Sequence, residues 1–298
     1  MISKIARFIK AYYIGYLFIA PALIILAVFL FFPIVQSFLM SLTDYKITSM
    51  HDVHFIGIKN YLKLFQDQIF LQSLLNTAYF VFVGAPLSMV VSLFMAVILN
   101  EKFIKYKTFF RASFFAPVVT TVVAVAVIWR WLYQPDYGLF NWALRTVGIN
   151  PVNWLSDVRF AMPSLILMSV WKGFGYNMII FIAGLQTIPE TLYESARIDG
   201  ANWWKCFRYI TLPGLRHTIL FVTIMTTIGF FQFFGESYVM TKGGPLNSTI
   251  SIVYYMYNQG FKFFNLGYAS AIAYVLFGLI FSFTMIQLWL RPKYSGED

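Results

Sequence analysis

Residues 14–41 read IGYLFIAPALIILAVFLFFPIVQSFLMS, a run with no charged side chain. A hydrocarbon layer about 30 Å thick is crossed by roughly 20 apolar residues in a helix, so this run reads as a transmembrane helix with length to spare. Five comparable stretches follow, at Leu74–Leu99, Ala112–Leu132, Ala161–Gln186, Gly214–Met240 and Gly267–Leu290. Six spans put both termini on one side. The composition agrees: 59% of the 298 residues are hydrophobic and 11% charged, too few polar groups to coat a soluble globule of this size. The expected fold class is an all-α polytopic membrane protein, one transmembrane domain over residues 1–298.

Lys4, Arg7 and Lys10 precede the first run, and Ala20 and Ala22 are small, which is the outline of a cleavable signal peptide. Pro21 between the two alanines and the continuation of the run to Pro33 argue for a retained span. With the N-terminus inside, thirteen Lys and Arg fall on inner segments and eight on outer ones. Cationic short loops stay cytoplasmic, so both termini are expected there. The net charge of +10 follows from these flanks facing an anionic leaflet, and no nucleic-acid partner is needed to explain it. Cys206 is the only cysteine, so no intrachain disulfide exists.

Three outer loops carry signals. In residues 51–72, Tyr61, Leu62, Leu64 and Phe65 suggest a short amphipathic helix. Residues 133–160 contain the turn-rich Gln134–Gly138. The third loop opens on Lys242-Gly243-Gly244-Pro245 and runs through the apolar residues 250–257, too few to span, which are expected to be re-entrant or interfacial.

The inner loop 187–213 differs from the rest. Thr187 and Glu190 have capping-box spacing with Pro189 in the first turn, so a helix should start there, with Leu192, Tyr193 and Ala196 on one face. Gly200 accepts positive φ and provides the stop. A second short helix from Ala201 then carries Trp203, Trp204 and Phe207 until Pro213. The product is a cytoplasmic helix-turn-helix. Its aromatics are either an interfacial belt or anchors for a cytoplasmic partner.

This loop resembles the signature loop of binding-protein-dependent ABC importer permeases: Glu194-Ser195-Ala196, then Gly200, Ile210, Leu212 and Pro213 stand at the family spacing, with Ser195 where the family has alanine. Asp199-Gly200-Ala201 and Phe207 fit its carbohydrate, maltose-type branch. Phe55–Tyr61, Asn76-Thr77, Gly184–Pro189 and Thr241–Pro245 extend the resemblance over nearly the whole chain. The resemblance implies the type I importer permease fold and one half of a sugar pathway in a bacterial or archaeal cytoplasmic membrane. It also implies a second, unlike permease chain, two copies of a cytoplasmic ATPase subunit and an extracytoplasmic solute-binding protein. Glu194, Ser195, Ala196, Asp199, Gly200, Ala201 and Phe207 would then couple to the ATPase.

The chain has no Gly-x-x-x-x-Gly-Lys-Ser/Thr loop, so ATP and Mg are expected on the partner subunits and this chain is expected to be non-catalytic. Polar groups inside spans mark a pathway by default. Lys172 lies mid-span beside Trp171, Gly173, Tyr176 and Asn177, and Gln232 and Glu236 are expected in the outer half of the fifth span. Lys172 and Glu236 either line the pathway or form a structural pair. The resemblance adds, by position, Ser169, Lys172, Gly173 and Tyr176 on one span and Thr226, Phe230 and Phe233 on the other.

Weaker constellations are read as structural. His51 and His54 lack a third ligand, so no metal site is expected. Arg216 and His217 at a span boundary are explained by snorkelling, and Asn247-Ser248-Thr249 matches a glycosylation triplet that is common by chance. The alternative from another class is an ion-coupled secondary transporter, which calls for internal repeats and broken helices around a midplane site. Co-purification separates the two: an ATPase subunit should be captured by this chain and lost when the loop around Glu194 is deleted.

Overall fold

The structure, a computed structural model, describes residues 2–49, 52–101 and 104–290, with residues 2–13 and Ser49 described by their backbone only. His51, Lys102, Arg291 and Lys293 lie outside the described residues, as do the side chains of Lys4, Arg7 and Lys10.

Four helices have the length and hydropathy of a span: Ile14–Ser41, Gln68–Asn100, Val158–Leu185 and Leu266–Trp289. Two more are broken pairs. Lys107–Val119 and Val122–Leu132 meet at 100°, and Trp203–Gly214 and Arg216–Phe231 at 69°. With each pair counted once the number is the expected six; the third is not the continuous span that hydropathy suggested, whereas the bend at Leu215 falls at the boundary expected between the loop helix and the fifth span. Pro117 lacks a donor in the last turn before the first break. Thr120 and Thr121 are then extended, and the Thr121 hydroxyl accepts from Ala124 N–H at 3.3 Å to start the next helix. At the second break Pro213 again withholds a donor and Leu215 leaves the helical region.

The fifth crossing is interrupted rather than continuous. Its helix ends at Phe231, with Gln232 as the C-cap, and resumes at Gly235, so Glu236 lies on a second short helical stretch that continues as the π-helical Ser237–Thr241. Gly235 explains the close fit there. A Cβ at that position would come within 2.6 Å of Val122 Cγ1, so only glycine lets this segment reach the start of Val122–Leu132.

Contacts divide the chain into two compact units. The first takes in the chain up to Leu64 together with Met256–Tyr274. In it Asn60 donates to the carbonyls of Ser41 and Thr43, both at 2.8 Å, which closes the open end of the first span. The Ser41 and Tyr61 hydroxyls pair at 2.7 Å, and Lys63 lies over the Tyr268 ring at 4.8 Å. The short helix is Lys59–Leu64, but Leu64 is buried while Leu62 and Phe65 are exposed, so the four residues predicted to share its apolar face divide between two sides. None of the most apolar stretch of Ile14–Ser41 is buried, as befits a helix whose solvent is hydrocarbon.

The second unit holds Phe65–Tyr255 and the chain from Val275. Its axis is Val158–Leu185, and the second span packs along it through small residues, among them Ala85, Ser88, Ser92 and Ala96. One apolar cluster joins Phe80, Trp129, Tyr133, Leu165, Met168 and Phe233, and another joins Leu99, Phe174, Met178, Phe181, Leu215 and Val222. The expected turn-rich loop is ordered by Asn141, which is fully buried. Its amide donates to Val152 O and Pro135 O at 2.9 and 3.2 Å and accepts from Val152 N–H and Trp154 Nε1 at 3.0 Å. The run 250–257 forms the helix Ile252–Tyr257, with Ile252, Tyr254 and Tyr255 buried in protein rather than lying on a surface.

Asn141→Ala strands three backbone groups, Val152 O, Val152 N–H and Pro135 O, and the Trp154 indole N–H. The expected loss is about 2 kcal/mol, read as a lowered thermal unfolding midpoint with earlier exposure of Trp154.

Candidate functional site

The loop 187–213 folds as two short helices with a tight turn between them. The first is Glu190–Ile198, none of whose residues is buried. It starts close to where expected but for a different reason: Pro189 occupies the N-cap without a side-chain bond, and Thr187 Oγ1 instead donates back to Gly184 O at 2.8 Å. The capping box does not form because the helix starts at Glu190 with Pro189 as its N-cap, which leaves Thr187 two residues outside the cap position.

Gly200 has φ +77°. Around it Gly200 N–H bonds Arg197 O at 3.1 Å and Ala201 N–H bonds Ala196 O at 2.8 Å, the nested pair that ends a helix with a left-handed residue. Asn202 then caps the next helix, its side chain accepting from Lys205 N–H at 2.9 Å. That helix, Trp203–Gly214, is tied to the first by the Tyr193 and Thr211 hydroxyls at 3.0 Å. The Asn202 cap was legible as an asparagine ahead of an aromatic run. The Tyr193–Thr211 tie, between residues eighteen apart, had no local signal.

Glu194, Ser195, Asp199 and Gly200 are exposed, and Ala196, Ala201 and Phe207 are half-buried. Trp203 stacks on Phe207 with ring centroids 5.5 Å apart, and its indole reaches Glu101 Oε1 at 3.4 Å. Trp203 and Trp204 nonetheless remain 57% and 62% exposed, an aromatic surface left open among the described residues. Beside it Thr187, Pro189, Leu192, Tyr209, Ile210 and Pro213 line a mostly apolar cleft of about 410 Å³.

The intramembrane candidates fall on Val158–Leu185 and the segment after Arg216. Ser169, Lys172, Gly173 and Tyr176 stand at i, i+3, i+4 and i+7, one stripe of the helix. Tyr176 is 46% exposed and the space over Gly173 is open. Ser169 Oγ donates to Glu236 Oε1 at 3.3 Å. Lys172 is near enough for its charge to act on that carboxyl, yet the two form no ion pair within 4.0 Å among the described residues. Asn177 and Thr226 satisfy each other at 2.9 Å, both buried. Phe230 and Phe233 pack on Phe80 at 5.2 and 3.8 Å, and Gln232 is exposed at the helix end. The structure thus brings Ser169 to Glu236 and Asn177 to Thr226, and leaves Tyr176 and Gln232 facing open space. No group of His, Cys, Asp or Glu suited to a metal occurs among the described residues, and His54 pairs with Asp44 and Asp52 at 3.5 and 3.3 Å.

The sequence pattern of the family described as binding-protein-dependent transport system inner membrane component matches residues 69–296. The chain belongs to this family. The permease is 36% identical over 288 residues to the lactose transport system permease protein LacF of Rhizobium radiobacter, covering 94% of this chain and 95% of that one. It is 36% identical over 275 residues to the trehalose/maltose transport system permease protein MalF of Thermococcus litoralis, covering 92% of each. Its fold matches a chain from the crystal structure of a bacterial ABC transporter involved in the import of the acidic polysaccharide alginate, with TM-score 0.81, 22% identity and 98% and 99% of the two chains covered. This is a multi-pass membrane permease with the fold of an ABC importer subunit, and the family match outweighs the broken helices, which the ion-coupled reading also calls for.

Gly200→Ala places a Cβ at a left-handed residue at a cost of about 1 kcal/mol. Amide exchange across Ala196–Lys205 should accelerate roughly fivefold, while Gly173→Ala, with open space above it, should leave exchange in that helix unchanged.

Proposed function

We propose that this permease carries a sugar or sugar-like solute, such as an oligosaccharide, polyol or sugar phosphate, inward across the cytoplasmic membrane. It does so as one half of a pathway completed by a second, unlike permease chain. Two copies of an ATPase subunit bind and hydrolyse ATP with Mg, and an extracytoplasmic protein delivers the solute. The observation that carries this reading is the exposed helix-turn-helix built around Gly200, in a chain without a phosphate-binding loop of its own. Energy then enters by contact, and Glu194, Ser195, Ala196, Asp199, Gly200, Ala201 and Phe207 form the contact surface with the Trp203 and Trp204 faces as anchors.

The sugar class rests on the relatives named above and on the lining. The Tyr176 ring, on one helix stripe with Lys172 and with Ser169, which bonds Glu236, suits a solute that is apolar on one face and hydrogen-bonding at its edge, and exposed Gln232 adds a further polar group. Closure of the ATPases shifts the loop, and the two permease chains rock between inward-open and outward-open states. Both termini are then cytoplasmic, on the side of the loop.

Reconstitution in vesicles tests the reading. ATP-dependent uptake should require the binding protein, and Glu194→Arg should release the ATPase subunits. Tyr176→Ala and Gln232→Ala should each lower uptake roughly fivefold, the loss of one contact of about 1 kcal/mol, with assembly intact. Unchanged uptake in an intact complex would remove those two residues from the pathway.

A further inference from the structure

Two short segments of the sequence, Asn76-Thr77 and Thr241–Pro245, have no part in the coupling loop or in the solute stripe. In the structure they belong to one hydrogen-bonded assembly. Asn76, 7% exposed, donates through Nδ2 to Asn247 O at 2.8 Å and to Ile250 O at 3.0 Å. Gln72 Nε2 donates to Asn76 Oδ1 at 2.9 Å, which fixes the orientation of the amide. One residue on, the buried Thr77 hydroxyl accepts from Ile252 N–H at 3.1 Å and so caps the helix that follows the loop. The second span therefore holds the loop at three points on its backbone.

The held loop is not relaxed. Lys242, Leu246 and Asn247 have φ of 53°, 50° and 60°, left-handed values that side chains other than glycine rarely adopt. Such a conformation persists only where surrounding bonds over-determine it. Those bonds continue inward. Ser237 Oγ donates to Thr249 O at 2.6 Å, the Thr241 and Thr249 hydroxyls pair at 2.7 Å, and Thr249 donates to Gly244 O at 2.7 Å. Ser237, Thr249 and Thr77 are fully buried, so each bond acts in a low-dielectric setting where an unmade one is expensive. Ser237 adjoins Glu236, whose carboxylate group accepts from Ser169. Hydrogen bonds joined by short stretches of backbone, residues 247–250 and 236–237, thus connect Asn76 on the second span to the carboxyl group beside the solute stripe.

We infer that Asn76 is a positioning residue for transport: by clamping the loop 247–252 it sets the Ser237–Thr241 stretch and hence the placement of the Glu236 carboxyl against Ser169. The inference rests on the pathway role proposed above for Glu236. Asn76 itself touches no solute. It works as a paired donor, which a carboxylate of the same shape cannot replace, since Asp offers no N–H to the two carbonyls.

The test is a double-mutant cycle read as ATP-dependent uptake by the reconstituted complex, with assembly and basal ATPase activity measured alongside. Asn76→Asp should lower uptake about tenfold, and Glu236→Gln should lower it comparably. If Asn76 acts through Glu236, the double variant should fall within about twofold of either single variant. A loss near the product of the two, about a hundredfold, would overturn the inference while leaving Glu236 in the pathway. Unchanged uptake in Glu236→Gln would remove Glu236 from the pathway and the inference with it. Should Asn76→Asp fail to assemble, Gln72→Leu keeps Asn76 in place, removes only the bond that orients it, and carries the same cycle with the same two outcomes.

Discussion

Hydrocarbon offers no partner to a backbone N–H or C=O, so every such group in a membrane segment has to be satisfied within the protein. In this permease that requirement is met by helices over most of the chain, and by side chains wherever a helix stops. Asn60 closes the end of the first span, Thr121 restarts the third crossing after its break, and Asn76 and Thr77 take up the groups freed around residues 247–252. The polar residues within an otherwise apolar sequence are therefore concentrated where the backbone leaves the helical region, and they are what make the bends tolerable.

The breaks in turn shape the interior. Because the fifth crossing is interrupted at residues 232–234, Glu236 lies on a separate short helical stretch and meets Ser169 from there. Because Gly235 carries no side chain, this stretch lies against Val122, at the restart of the third crossing. Two irregular segments from different crossings thus meet beside the stripe of Ser169, Lys172, Gly173 and Tyr176, and irregular backbone at membrane depth is tolerated where it is buried in protein or lines a cavity. At the loop 187–213, which lies outside the spans, the constraint becomes one of presentation: a glycine-ended helix, an asparagine cap and a hydroxyl tie hold exposed aromatics in place.

Much of this was legible in the sequence because it depends on local composition. Apolar run length set the number of crossings, and the left-handed stop at Gly200 followed from a glycine at the end of a periodic segment. The family pattern of the loop was readable for the same reason, since its residues are close in sequence and share one turn. The capping box at Thr187 failed because the helix starts at Glu190 behind Pro189, two residues later than the box requires. The unbroken third and fifth spans failed because hydropathy averages over a window and does not register the Pro117-to-Thr121 corner or the stop at Gln232.

By itself, then, the sequence determined that this chain lives in a bilayer, crosses it about six times and displays one structured loop, since hydrophobic length and turn chemistry act over a few residues. Only the tertiary structure decided where two crossings break, that Glu236 bonds Ser169 instead of forming a close pair with Lys172, and that Asn76 meets a loop 171 residues away. Those outcomes depend on which helices pack together, and a hydrogen bond between distant segments leaves no periodic trace in either of them.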